Sequence, residues 1–409
     1  MTSLEVSVEN VENEEQQLKW SGEQSTPPSE QEVDQNCGPS DADKANMTPK
    51  DKKMSGALQS LMKQMVSSKQ PFYRMSLPIC FSEPRSLLEK FTDMGRYMEL
   101  FIQASKQDNE EKRFLEVIKF YLSSWLVQQD VRTPFNPIIG EIFNGNWTHG
   151  DGSTTEYNSE QISHHPPSSA FCYTNVQNGL VFHSYLSPTS KFWGNSFESS
   201  MEGKLVMELP RRGEEYVVDV PKIAVRGVVL GTMATEVIGS TTLACKKTGY
   251  FAEIEFKGKG NLFKSKHFMT AKIRHPSNKR SLYSLEAGWD GKINIITTKT
   301  NETSLFFDIN AFTTSEIVVP AASEQSDNFS RKVWSGVTYH INADNEEEAQ
   351  TQKYKVEEIQ RQAAKERGEG AEWSPSTFQK STESNTHNSY IFKKLANIKL
   401  DMMASKGSS

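Results

Sequence analysis

The 409-residue chain can form one large domain or two ordinary ones, and its 36 % hydrophobic content is enough for a sizeable core. Its net charge of −6 is uneven: residues 1–50 hold eleven acidic and three basic residues, and the remaining 41 acidic and 43 basic residues amount to +2. No concentrated basic excess marks a nucleic-acid binder, the four scattered cysteines (Cys37, Cys80, Cys172, Cys245) form neither a zinc pattern nor a secreted disulfide framework, and no run of about 18 apolar residues could span a bilayer.

The first thirty residues lack the apolar core of a signal peptide, so a cytosolic protein is expected. Residues 1–48 are rich in Glu, Gln, Ser, Asn and Pro and cannot repay ordering entropy by burial, so they are expected to be a disordered acidic arm. Order is expected from Thr48-Pro49, an N-cap followed by proline at the first helical position. Within residues 49–70, Leu58, Leu61, Met62, Met65 and Val66 recur at i, i+3, i+4, i+7 and i+8, one apolar helical stripe. Such a helix either packs permanently on the core or serves as a hinged cover, because isolated helices below about 12–15 residues are marginal.

Residues 86–127 read as helices, with Phe114, Val117, Ile118, Tyr121 and Trp125 on one side. From about 134 to 320, short runs such as LVFHSYL, FAEIEF and KINIITT are bounded by turn residues, which predicts an antiparallel sheet closed on itself or nearly so. Charged helices return between about 321 and 367, and residues 386–409 read as a tail. The fold class is α+β, mainly β. FFDINAF (306–312), faintly like a short phenylalanine-based sorting motif, falls among these strands without an acidic flank and reads as strand.

EQISHHPP (160–167) sets two imidazoles, His164 and His165, before two prolines that stiffen the path. With no His-Glu-x-x-His and no Cys-x-x-Cys, a metal site is not expected; with no Gly-x-Ser-x-Gly elbow and no phosphate loop, neither is a catalytic centre or a cofactor. Imidazoles can donate to a phosphate, most strongly when protonated; equally, the pair can simply bond the local turn, and chemistry alone leaves the two readings level. Lys353, Glu357 and Arg361 follow at i, i+4 and i+8, drifting about 40° per step and so sharing a face. That is either a solvated ladder of ion pairs or a phosphate site with Glu357 orienting two cations.

EQISHHPP resembles the signature of the oxysterol-binding protein family of lipid transfer proteins. SLPICFSEPRSLLEKF (76–91), PFNPIIGEIF (134–143), RKVWSGVT (331–338) and EWSPSTF (372–378) resemble further family segments, so the similarity covers roughly residues 56–380. The resemblance implies residues 71–385 as a lipid-binding domain: a large, near-closed antiparallel barrel around an apolar tunnel, with an N-terminal lid helix and flanking helices. It implies that His164, His165, Arg361, Lys353 and Glu357 hold an inositol 4-phosphate head group, with the Asn136 region on the glycerol phosphate. The sequence departs from the family where lysine usually precedes Pro-Phe-Asn-Pro; Thr133 stands there, with Arg132 beside it, alternating in direction with it along an extended segment and counted as a candidate head-group residue.

Nothing before the domain resembles a pleckstrin-homology domain or ankyrin repeats, so a short, single-domain, monomeric form is expected. The implied function is transfer of a sterol, or another lipid such as phosphatidylserine, in exchange for phosphatidylinositol 4-phosphate, by a cytoplasmic protein peripheral on organelle membranes. The alternative is a lipid sensor that signals occupancy to a partner protein. The Leu58–Val66 stripe would cover the lipid when closed and meet the membrane when open.

Overall fold

The computed structural model describes residues 56–57, 78–126, 132–164, 166–192, 196–226, 234–258, 268–288, 290–368, 373–382 and 387–404. The lid stripe Leu58, Leu61, Met62, Met65 and Val66, the acidic arm and His165 lie outside them. A short parallel pair, β1 (Ser82–Ser86) and β2 (Thr133–Phe135), brings the two ends of the first helical segment together. Between them run α1 (Leu87–Lys90), α2 (Met98–Ser105) and α3 (Glu110–Leu126).

Among the described residues, fourteen strands then form one antiparallel sheet. They begin with β3 (Ile142–Thr148), β4 (Thr154–His164), β5 (Pro167–Asn175), β6 (Leu180–Phe192) and β7 (Ser196–Glu202). β8 (Lys204–Leu209), β9 (Glu214–Asp219), β10 (Lys222–Arg226), β11 (Ala234–Cys245) and β12 (Phe251–Phe256) follow. The series closes with β13 (Met269–Arg274), β14 (Tyr283–Ala287), β15 (Lys292–Thr297) and β16 (Glu302–Asp308). β6 is long enough to pair with two strands in turn, β8 through Val181–His183 and β7 through Ser187–Phe192. The kink between those partners is Gly203, whose φ of +132° and close approach to the Tyr185 carbonyl exclude any Cβ.

The end strands are β3 and β16, and the chain leaving β16 crosses back to β3, where Asn146 and Val318 exchange backbone hydrogen bonds of 2.8 Å each way. The sheet is thus a near-closed barrel. Alternation drives its curl: in β12, Ala252, Ile254 and Phe256 face inward and Glu253 and Glu255 outward. Helices α2 and α3 lie against the inner face. Phe120 meets Phe182 of β6, Phe114 meets Tyr216 of β9, and Trp125 meets Phe256 of β12. A buried pair pins α3 there, Arg113 Nε donating to Glu214 at 2.7 Å.

Three boundaries differ from the sequence reading. Strands end at Asp308 rather than near 320, and the C-terminal helices start at Ser330 rather than 321: α4 (Ser330–Val333), α5 (Ser335–Asn342) and α6 (Glu346–Arg367). The stretch between has no regular period and is held instead through Val318 and by Phe329, 1 % exposed. The supposed tail contains β18 (Tyr390–Phe392), paired with β17 (Phe378–Lys380), and α7 (Leu395–Ala404), with Leu395 and Met402 buried on the outer wall of the barrel. Phe307 of FFDINAF is buried in β16, as its strand reading requires. No helix among the described residues is long and apolar enough to cross a membrane.

Candidate functional site

α6 is stable where it stands because Asn345 caps it, accepting from Glu348 N–H, with three glutamates in its first turn and Lys365 and Arg367 in its last, matching the helix dipole. Ala349, Lys353, Val356 and Gln360 recur at i, i+4, i+7 and i+11, and this stripe packs on Ile79, Phe135, Ile138 and Trp334. Lys353 therefore belongs to the packed face. Each four-residue step turns about 40° away from it, and side-chain exposure follows: 7 % at Lys353, 24 % at Glu357 and 47 % at Arg361. The Glu357 carboxylate lies 3.8 Å from the Lys353 ammonium and 3.9 Å from the Arg361 guanidinium. Burial lowers the Lys353 pKa, partly opposed by Glu357 and the nearby Cys80 thiol. Arg361 also donates to Glu358 at 2.9 Å and stands 5.2 Å from the Tyr354 ring centre.

Beneath α6 lies the loop Asn136–Glu141. Phe135, just before it, stacks on Trp334 at 4.6 Å, and Asn136 is exposed. Three consecutive amides take three different partners: Ile138 N–H donates to the Glu141 carboxylate (3.0 Å), Ile139 N–H to the Gln360 side chain (3.2 Å) and Gly140 N–H to the Gln161 carbonyl (3.0 Å). Gly140 has φ +74°, and a Cβ there would run into Trp373.

His164 ends β4 and pairs with Pro167, the first residue of β5. A proline at that position removes no donor from the sheet interior. The His164 Nδ1 lies 3.2 Å from the Pro137 carbonyl. A carbonyl only accepts, so Nδ1 carries the proton; Nε2 can then donate only when the ring is an imidazolium. Bonds thus link His164, the Asn136 loop and the helix of Lys353, Glu357 and Arg361. Arg132 is half-buried one residue before β2, and Thr133 beside it donates its hydroxyl to the Phe81 carbonyl at 3.3 Å. No group of three or more His, Cys, Asp or Glu residues that could hold a metal occurs among the described residues.

Sequence reasoning missed the groups that hold these parts in place. Glu141, wholly buried, accepts from Ser86, Ser330, Trp334 and Ile138, and burial raises its pKa despite those donors. Glu160 of EQISHHPP accepts from the Ser376, Thr377 and Phe378 amides, tying β4 to the chain after α6. Gln350 accepts from Ile79 N–H at 3.0 Å. The stripe Ala349, Lys353, Val356, Gln360 was the available signal, since a lysine and a glutamine on an apolar face mark a helix packed on polar backbone.

Fold and site together define a near-closed antiparallel barrel domain with a helix-borne row of charge beside an imidazole at one loop. The chain belongs to the oxysterol-binding protein family, whose model, described as Oxysterol-binding protein, matches residues 57–346. It is similar to Oxysterol-binding protein 10 of Dictyostelium discoideum, 53 % identical over 358 residues that cover 86 % of this chain and 90 % of that one. It is 36 % identical over 313 residues to human Oxysterol-binding protein-related protein 8, covering 75 % of this chain and 35 % of that longer protein. The Osh1 ORD domain in complex with cholesterol superposes with TM-score 0.68 at 20 % identity, covering 88 % of this chain and 99 % of that one. The Osh3 ORD from Saccharomyces cerevisiae in complex with PI(4)P gives 0.62 at 20 % identity, covering 85 % and 94 %. At that identity the two structures speak for the fold.

Proposed function

We propose that the protein binds and transfers lipids, holding one at a time in the barrel. The observation that carries the reading is the bonded chain from His164 through the Pro137–Ile139 loop to α6, which connects the imidazole to the helix that bears Lys353 and Arg361. That donor set suits a phosphomonoester, and the head group of phosphatidylinositol 4-phosphate is the one we assign to His164, His165, Lys353, Glu357, Arg361 and Arg132, with Asn136 on the glycerol phosphate. The PI(4)P complex of Osh3 and the cholesterol complex of Osh1 share the fold and support this pair of ligands.

The second lipid is a sterol, or phosphatidylserine, sharing an apolar tunnel with the first so that the two exclude each other. A sterol's roughly 500 Å² of apolar surface is worth about 12 kcal/mol in water, which demands a cover; the Leu58–Val66 stripe supplies it. Exchange takes place between organelle membranes, by a monomeric cytoplasmic protein peripheral to them, with no step of catalysis.

The test is extraction from liposomes carrying labelled phosphatidylinositol 4-phosphate, sterol or phosphatidylserine, by the wild type and by His164→Ala and Lys353→Ala. The variants should lose phosphoinositide uptake and keep that of the second lipid. A wild type that takes up no phosphoinositide, or variants that take it up normally, would overturn the head-group assignment.

A further inference from the structure

We infer that Gln360 is a positioning residue of the head-group site, its amide oxygen setting the Asn136–Glu141 loop, and through it His164, against the cations of α6. This rests on the head-group reading above. Gln360 is 5 % exposed on a helix face otherwise made of Ala349, Val356 and the Lys353 stem. Packing alone calls for an apolar residue there, because a buried amide is costly unless bonded. Its bond is to Ile139 N–H at 3.2 Å, across 221 residues of sequence. The amides on either side are committed elsewhere, Ile138 to Glu141 and Gly140 to Gln161, so of these three only that of Ile139 reaches α6.

The loop it holds is the one whose Pro137 carbonyl fixes His164 Nδ1 at 3.2 Å. Gln360 also precedes Arg361 directly and lies seven residues, about 10 Å along the axis, beyond Lys353. A change at Gln360 therefore alters the spacing between imidazole and cations while removing none of them. In metal sites, groups that act only by orienting a ligand residue commonly change affinity by about ten- to a hundredfold, and the same order is expected of Gln360.

Gln360→Met keeps length and bulk and removes the acceptor; Gln360→Glu keeps an oxygen at the same reach. Both are compared with the full-length wild type for uptake from vesicles containing phosphatidylinositol 4-phosphate or cholesterol, for thermal midpoint, and for the ¹⁵N resonances of the His164 ring without lipid. Gln360→Met should lower phosphoinositide affinity about tenfold or more, leave cholesterol uptake and the midpoint nearly unchanged, and shift the His164 Nδ1 resonance; Gln360→Glu should restore that resonance. An unmoved resonance in Gln360→Met, or parallel loss of both lipids with the midpoint, overturns the inference. A wild type that takes up no phosphoinositide overturns the head-group reading instead, and the ring resonance still decides whether Gln360 positions His164.

Discussion

β5 and β12 belong to one sheet and face one core, yet their residues are buried differently. In β12 every second residue is buried, and Glu253, which faces outward, meets Arg274 at 3.0 Å in solvent. In β5 all nine residues are buried. Phe171 and Tyr173 point into the main cluster, while Ala170 and Cys172 point outward beneath Phe378, Phe392, Leu395 and Met402. Small outward residues leave depth for a second layer, and the segment after α6 supplies it. A strand covered on both faces loses the alternation that identifies a half-buried one, so the pattern of β5 records a partner more than 200 residues away.

The largest effect should come from removing the second layer. Ending the chain after Thr382 deletes Phe392, Leu395 and Met402 from the outer wall, worth about 5 kcal/mol at about 1.5–3 kcal/mol per buried side chain. Burial pushes the Cys172 thiol far above the ordinary range; in the shortened chain it should become alkylatable, while Cys245 in the inner cluster stays protected. Mass mapping after thiol labelling reads both, and a Cys172 that stays unreactive would mean the outer face of β5 has another cover.

Next in size is Ala170→Asp, which buries an unpaired charge between the layers beside Glu160, its cross-strand neighbour. It should cost about 3–5 kcal/mol in denaturant unfolding. A cost under about 1 kcal/mol would show that β5 is as open outside as β12.

A smaller and reversible loosening should follow acid. Burial favours a raised pKa for Glu208, but the His183 ring at 3.0 Å and the Lys399 ammonium of α7 at 2.6 Å outweigh it and hold the carboxyl down to about 2. A carboxyl depressed on folding from about 4.5 contributes stability that is complete above that value and is lost as the pH falls towards 2. Amide exchange in Leu395–Ala404 should therefore quicken across that window before exchange in β12 does; simultaneous onset would place the weak point in the barrel. Smallest of all, Glu255→Ala on the exposed face of β12 should change stability by no more than about 0.5 kcal/mol.

The candidate site divides in the same way. The row Lys353, Glu357, Arg361 was legible because helical spacing is local, and its graded exposure follows from the same arithmetic. That Lys353 is the buried member was not, because the packed stripe is recognised only once Ile138 and Phe135 are known to lie beneath it. In EQISHHPP the histidines drew notice, yet Glu160 and Gln161 are bonded into the scaffold as well as His164: Glu160 to three amides after α6, Gln161 to Ser163 and Ser169. PFNPIIGEIF, RKVWSGVT and SLPICFSEPRSLLEKF meet at the single carboxylate of Glu141. Much of what makes these segments recognisable is the framework around the site.

By itself the sequence determined the order of helices, sheet strands and charged helix from Leu87 to Arg367, the family resemblance, and the charged row on α6, because periods of 2 and 3.6 and short motifs are properties of neighbouring residues. Only the tertiary structure decided that the last residues form a second layer on β5, that the irregular stretch after β16 crosses back to β3, and that Gln360 joins α6 to the loop of His164. Each of those depends on burial and on hydrogen bonds between groups far apart in the chain, and no local pattern carries the identity of a distant partner.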